Sequence, residues 1–320
     1  MVTGLALPTG FANDGGVSAH LVIADEVATA LGEGRGVVAL ESTLLAHGLP
    51  PGRSFEVGVR LEKVIRAAGA VPATIAVLDG VPRVGLGIGE LERVCSPGLA
   101  KLSLRDLGAA IAMRRDGATT VASTATLAHK AGIRVFATGG LGGVHLSVPS
   151  GTVTWDVSAD LDVLANTPVT VVCSGVKSIL DIAATVEVLE TRSVPVLGYR
   201  TDHFPAFYLR ESAHRVPWRV DNAVDAAEVI SAHGEVSGSG VLMVNPVPAE
   251  YELDRALHDR LLDEGMALLR ERDIRGKDVT PALLEHFHSG SAGSSLAANT
   301  ELVADNARVA AEVAVQLSSR

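Results

Sequence analysis

Gly36-Val37-Val38-Ala39-Leu40 is followed at once by Glu41-Ser42-Thr43. Five uncharged residues, four of them apolar and two β-branched, read as a short buried strand. An unbroken apolar run marks a strand covered on both faces, as in a parallel sheet between helix layers. The carboxylate at its end is the first suspect for chemistry, because ligands of open α/β sheets gather beyond the carboxyl ends of the strands.

Outward from this stretch the same pattern recurs. Leu21 to Leu31 and Phe55 to Ala68 have helical spacing. Thr74 to Leu78 and Val81 to Leu86 flank Asp79-Gly80, a hairpin signal. Leu102 to Arg115 reads as a helix with Ser103 as N-cap. Strands are expected at 119–122, 134–137, 169–173, 194–199 and 241–245, and a helix follows Lys177 as far as Leu189. Val224 to Ala232 is helical, and the last third is mostly helix, at 251–272, 281–287 and 294–317. Strands alternating with helices predict an α/β layered fold, in one domain with a largely helical C-terminal third. Residues 1–18 are read as a flexible N-terminal tail and 19–320 as the domain.

Composition narrows the function. Of 320 residues, 47% are apolar but only 3% aromatic, so the core is built from Ala, Val, Leu and Ile. No segment approaches the roughly 20 apolar residues of a membrane span, and no signal-peptide pattern opens the chain. The net charge of −10 disfavours a nucleic-acid duplex as partner and leaves a small anionic substrate open. The two cysteines, Cys95 and Cys173, exclude a Cys-rich zinc site and point to a reducing, cytoplasmic setting.

Four places carry candidate chemistry: Glu41; Thr138 with the cluster Gly139-Gly140-Leu141-Gly142-Gly143 through His145; Asp156 to Asp162; and Lys177. The chain has five lysines. Lys63, Lys130 and Lys277 have polar surroundings and read as solvated. Lys101 and Lys177 sit among apolar and small residues, where a lysine can become a nucleophile or pair with phosphate. Glu41 reads equally as a general acid/base or as a cap. Asp156, Ser158, Asp160 and Asp162 read equally as hard-cation ligands or as a helix start with Ser158 as N-cap. The glycine cluster reads as a tight loop before it reads as a phosphate cradle.

Together the motifs resemble the pseudouridine-5'-phosphate glycosidase (indigoidine synthase A-like) family from about residue 20 to 318. They are ALESTLLAHGLP (39–50), PATIAVLDGVPRVGL (72–86), KLSLRDL (101–107), GATTVASTATLAHKAGIRVFATGGLGGVH (117–145), WDVSADL (155–161), VVCSGVKSILD (171–181), FPAFYLR (204–210), NPVP (245–248) and SLAANTELVADNARVAAEVA (295–314). The resemblance implies a single-domain α/β/α layered fold with a central sheet, usually a homotrimer, that uses a divalent metal, typically Mn²⁺, and interconverts pseudouridine 5'-phosphate with uracil and ribose 5-phosphate. By motif, Glu41 matches the proton donor, Lys177 the Schiff-base nucleophile and Asp156 the metal-binding aspartate. Lys101, Val121 and Ser158-Ala159-Asp160 match substrate-binding positions, and Thr138, His145 and Asn299 match polar residues of the same site.

Three loops depart from the family pattern. Leu146-Ser147-Val148 replaces Arg-Gly-Ala; Tyr199-Arg200-Thr201-Asp202-His203 replaces Tyr-Gly-Thr-Asp-Glu; Pro51-Gly52-Arg53-Ser54 replaces Tyr-Pro-x-Asn. These changes raise two alternatives: a C-glycosynthase joining ribose 5-phosphate to another aromatic acceptor, and a catalytically silent binding protein.

Overall fold

The computed structural model describes residues 21–50, 52–146, 156–177, 179–274, 276 and 279–320. The tail 1–18, Lys277 and the altered Ser147-Val148 and Pro51 lie outside them. The first half of the chain comprises β1 (Val22–Ile23), α1 (Asp25–Gly32), β2 (Val37–Leu40), α2 (Thr43–His47), α3 (Ser54–Ala67), β3 (Val71–Leu78), β4 (Val81–Val84), α4 (Ile88–Val94), β5 (Ala100–Leu102), α5 (Leu104–Ala112), β6 (Gly117–Thr119), α6 (Val121–Ala131), β7 (Val135–Ala137) and β8 (Val144–His145). There follow α7 (Ala159–Asn166), β9 (Thr170–Cys173), β10 (Leu180–Asp181), α8 (Ile182–Thr191), β11 (Val196–Tyr199), β12 (Trp218–Val220), α9 (Ala223–Val236), β13 (Val241–Val244), α10 (Arg255–Glu271), α11 (Val279–Gly290) and α12 (Ser294–Ser318).

The main sheet runs parallel in the order β3-β2-β7-β9-β13-β11-β12. Successive side chains of a strand point to opposite faces, and this period divides the core in two. Val38, Leu40, Val135, Ala137 and Val172 face one apolar cluster, which α3, α9 and α12 cover. Val37, Ala39, Phe136, Val171 and Cys173 face the other, which α1, α6 and α7 cover. The α/β/α layers that the family resemblance implies are therefore present. Burial of aliphatic side chains on both faces, at roughly 25 cal/mol per Å², is the main stabilising term. The small residues Ala304, Ala307, Ala310, Ala311 and Ala314 bring α12 close to the sheet. Among the described residues no helix is long and apolar enough to cross a membrane.

The far half of β3 leaves the parallel sheet and pairs antiparallel with both β4 and β6. Its hairpin turns at Asp79 and Gly80, both at positive φ, as the Asp-Gly pair demands. Some boundaries differ from expectation. Val22–Ile23 forms a strand on β4, so the first helix begins only at Asp25. The strand expected at 119–122 ends at Thr119; Thr120 is extended and Val121 begins α6. Ala100–Leu102 pairs with β6, and α5 starts after Ser103, whose N–H donates to Asp106. The helix expected from Lys177 starts at Ile182, because Leu180–Asp181 pairs with β8. The helix expected at 251 starts at Arg255, with the Asp254 carboxylate accepting from Leu257 N–H.

Candidate active site

The carboxyl ends of the parallel strands open into a cleft of about 550 Å³. Glu41 is the first residue beyond β2 and Thr138 the first beyond β7. Lys177 lies in the turn after β9, Lys101 in the middle of β5, and Val121 opens α6. His145 belongs to β8, and Asp156 to Asp160 lead into α7. Asn299 reaches the cleft from α12. All eleven residues singled out in the sequence line this one cleft, although they are scattered over more than 250 positions.

Glu41 sets the electrostatics. Burial raises the pKa of its carboxyl above the ordinary carboxylate value. Lys177, the Thr138 hydrogen bond and Lys101 pull it down, and Asp160 pushes it up. The Thr138 hydroxyl donates directly to Glu41 Oε1. The result is a carboxyl that holds its proton more tightly than a free one, beside two lysines. His145 and His47 both have lowered pKa values, burial being the first cause in each. Lys177 and Lys101 add to the effect at His145 and Lys101 at His47, while Asp156 opposes it at His145.

The loop between β7 and β8 is shaped by close contact. A Cβ at Gly142 would stand 2.3 Å from Ser158 Oγ and 2.7 Å from Asp160 Oδ2; one at Gly143 would stand 2.4 Å from Thr185 Oγ1. The tight-loop reading of the cluster thus holds. Asp160 is buried, and its two oxygens accept from Ala122 N–H and Gly142 N–H, each at 2.9 Å. Ser158 caps α7, its Oγ accepting from Asp160 N–H at 3.2 Å. Cap and cleft residue are therefore the same side chain. Asp162 points away and pairs with Arg192 on the surface. Lys63 and Lys130 are exposed.

The apolar part of the lining was not expected from the sequence. Thr280, Pro281 and Leu284 of α11, with Leu180, Leu44 and Phe207, present a largely apolar surface to the cleft. Phe207 sits at positive φ, with its N–H on the Ser174 carbonyl at 3.0 Å. It lies in the noted FPAFYLR segment, but no residue type or spacing in α11 advertises a site. His47 was noted without a role; its place six residues after Glu41 was the available signal. Cys95 and Cys173 are free, with pKa values pushed by burial to about 11 and about 12, which agrees with small packing residues.

Two of the three altered loops stand back from the cleft. Arg200 and His203 do not line it, nor do Gly52, Arg53 and Ser54. Arg200 adopts the positive φ that the glycine of the family pattern would take freely, and it is held by Arg200 Nε on the Asp221 carbonyl at 2.9 Å. The Arg200 substitution therefore bears on the backbone rather than on a ligand in the cleft.

For a divalent cation the donors are sparse. Among the described residues no three His, Cys, Asp or Glu side chains converge. Half-exposed Asp156 has His145 Nδ1 at 3.9 Å from its Oδ2. This donor set fits a hard cation that keeps most of its water and binds through one carboxylate.

Fold and cleft define an α/β/α protein with a lysine–carboxyl site at the carboxyl edge of a parallel sheet. The family model described as indigoidine synthase A like protein matches residues 26–316, and the chain belongs to this family. The pseudouridine-5'-phosphate glycosidase of Salinispora tropica is 51% identical over 94% of this chain and 93% of its own. That of Brachyspira hyodysenteriae is 48% identical over 93% and 97%. The crystal structure of the prealnumycin C-glycosynthase AlnA in complex with ribulose 5-phosphate matches with a TM-score of 0.85 at 42% identity, covering 93% of this chain and 97% of that one. An indigoidine synthase A-like protein from Thermotoga maritima matches with a TM-score of 0.85 at 34% identity, covering 97% and 100%.

Proposed function

We propose that this protein is an enzyme that reversibly cleaves the C-glycosidic bond of pseudouridine 5'-phosphate to give uracil and ribose 5-phosphate. The observation that carries this reading is the meeting of Glu41, Lys177 and Lys101, from three separate strands and the turns that follow them, in one cleft. Relatives near 50% identity over nearly the whole chain carry that activity in their names.

A C-glycoside has no leaving oxygen for an acid to protonate, so the usual two-carboxylate route is closed. In our reading the Lys177 amine displaces O4' at C1', and the ring opens as O4' gains a proton. The nitrogen lone pair then forms the C1'=N iminium while the bond from C1' to the uracil C5 breaks. That electron pair stays on C5, which takes its proton from Glu41. Water hydrolyses the iminium, releasing ribose 5-phosphate and the amine. A raised pKa suits Glu41 to the acid role. Lys101 and the first turn of α6 at Val121 face the phosphate, with Ser158, Ala159 and Asp160 on the sugar. Thr138, His145 and Asn299 complete the site around the base; Asn299 Oδ1 is a buried acceptor without a partner.

Asp156 would hold a hydrated Mn²⁺, with His145 beside it. When bound, the cation supplies positive charge and ordered water at the mouth of the cleft. We further infer a homotrimer working in the cytoplasm.

The test is turnover of pseudouridine 5'-phosphate with Mn²⁺, and of uracil plus ribose 5-phosphate, followed by mass and absorbance. Lys177→Ala and Glu41→Ala should each lower kcat by about a thousandfold or more. The likeness to AlnA favours one second reading, transfer of the sugar phosphate to a different aromatic acceptor. It predicts a borohydride-reducible ribose 5-phosphate adduct on Lys177 without uracil turnover. Absence of both turnover and adduct would sink both readings.

A further inference from the structure

Two of the motifs, Asn245-Pro246-Val247-Pro248 and the Asp305-Asn306 pair of α12, have no role in the chemistry above. They meet beneath the cleft floor. Asn306 is fully buried in an otherwise apolar stripe with Leu302, Val303, Val309 and Ala310. Its Nδ2 donates to the Thr138 backbone carbonyl at 2.9 Å and to Ser174 Oγ at 3.1 Å. Its Oδ1 accepts from Asn245 Nδ2 at 3.0 Å. Asn245 Nδ2 also donates to Asp305 Oδ2 at 2.8 Å, and Arg308 holds the other oxygen of Asp305.

Thr138, Ser174 and Asn245 are the first residues beyond β7, β9 and β13, three adjacent strands. A single amide thus bolts α12 to three strand ends at once. Burying an amide without partners costs on the order of 2–7 kcal/mol; here both its protons and its oxygen are used. Packing alone would be served by an aliphatic residue. What the amide adds is position. The carbonyl it grips belongs to Thr138, whose hydroxyl holds Glu41, and the hydroxyl it grips belongs to Ser174, which opens the turn ending at Lys177.

We propose that Asn306 is a positioning residue of the reaction, fixing Thr138 and Ser174 so that the acid on Glu41 and the amine of Lys177 keep their mutual place. This rests on the roles given above to Glu41 and Lys177. The groups facing Glu41 are Lys177 from the turn after β9, Thr138 after β7, Asp160 from α7 and Lys101 from β5; Asn306 touches only the Thr138 part of that set.

The experiment compares Asn306→Ser and Asn306→Asp with wild type and Thr138→Val. Both Asn306 variants should lose about ten- to a hundredfold in kcat while KM for the nucleotide changes about twofold or less, since reacting groups lose alignment and phosphate contacts are kept. Loosening Thr138 removes a hydrogen bond that favours ionised Glu41. The alkaline limb of the kcat profile should therefore move to higher pH in Asn306→Ser, in the same direction as in Thr138→Val. Combining the two changes should move it no further than Thr138→Val alone. A lower melting temperature with wild-type kcat and an unmoved limb would overturn the proposal. If wild type itself fails to turn over pseudouridine 5'-phosphate, the reaction assigned above has failed, and the rate of borohydride trapping of ribose 5-phosphate on Lys177 becomes the readout. About a tenfold slower trapping in Asn306→Asp sustains the positioning role; equal trapping rejects it.

Discussion

The two walls of the cleft are built on different terms. The strand-end wall carries Glu41, Thr138, Lys101 and Lys177, and within it the Thr138 hydroxyl is tied to Glu41 and the Thr138 carbonyl to Asn306. The wall from α11 offers Thr280, Pro281 and Leu284, largely apolar and free of motifs. In the proposed reaction the first wall carries the reacting groups, and the second offers an apolar surface beside them. A charged group at a strand end must be exactly partnered by its surroundings to exist there at all, so its neighbours are constrained. An apolar helix face needs only approximate shape.

The largest expected effect breaks the first wall at Glu41. Glu41→Gln keeps the acceptor for Thr138 and removes the proton to be given, so kcat should fall about a thousandfold or more. The same change should raise Tm at neutral pH. Burial raises the folded-state pKa of Glu41, so the ionised carboxylate destabilises the fold above that pKa. As pH falls through the raised pKa towards the ordinary carboxylate value, wild-type Glu41 becomes neutral and the advantage of Gln should vanish. Thermal melts of both proteins across the acid range check the sign. A Tm gain that persists to low pH would show that ionisation is not its cause.

A smaller loss should follow from Gly142→Ala, which attacks the support rather than the chemistry. The new methyl would meet Ser158 Oγ and Asp160 Oδ2 well inside contact distance. Either the α7 cap or the Asp160 bridge to Ala122 must give way. Overpacking of this kind costs about 1–3 kcal/mol, and displacement of the loop should lower kcat about a hundredfold. Denaturant melts and initial rates measure the two separately. Unchanged stability and rate would mean that the loop is slack where it is drawn tight.

Much of this contrast was legible before any coordinates. The strand-end wall could be read because unbroken apolar runs end in Glu41, Thr138 or Ser174-Gly175-Val176-Lys177; the parallel pairing of Leu40 with Ala137 and of Ala137 with Val172 then sets these ends side by side. What could not be read were the junctions. Thr119 to Ala122 looks like a strand, yet the strand partner of Thr119 ends there and Val121 turns into a helix. Leu180–Asp181 was absorbed into a helix because its pairing partner, β8, lies more than 30 residues away. The Asn306 bolt was equally silent, since an asparagine within a helical pattern does not announce three strand ends around it. Of the altered loops, the departures at Arg200 and His203 fall at a backbone turn and do not line the cleft.

The smallest effect sharpens the comparison from the α11 side. Leu284→Ala should leave kcat within about twofold, because its side chain offers no hydrogen bond or charge to the reacting groups, and should raise KM by about three- to tenfold through lost apolar contact. Leu284 is half-buried and also borders a small apolar void with Lys177, Phe207 and Phe287, so the fold should lose about 2 kcal/mol, at the low end for a leucine truncation. Acceptors bulkier than uracil should gain relative to uracil in the synthetic direction, since the change enlarges the wall against which the base would rest. Steady-state kinetics with uracil and with a fused-ring acceptor separate the two walls. A collapse of kcat in Leu284→Ala would mean that α11 also holds Lys177 in place, and the division between a reacting wall and a selecting wall would have to be given up.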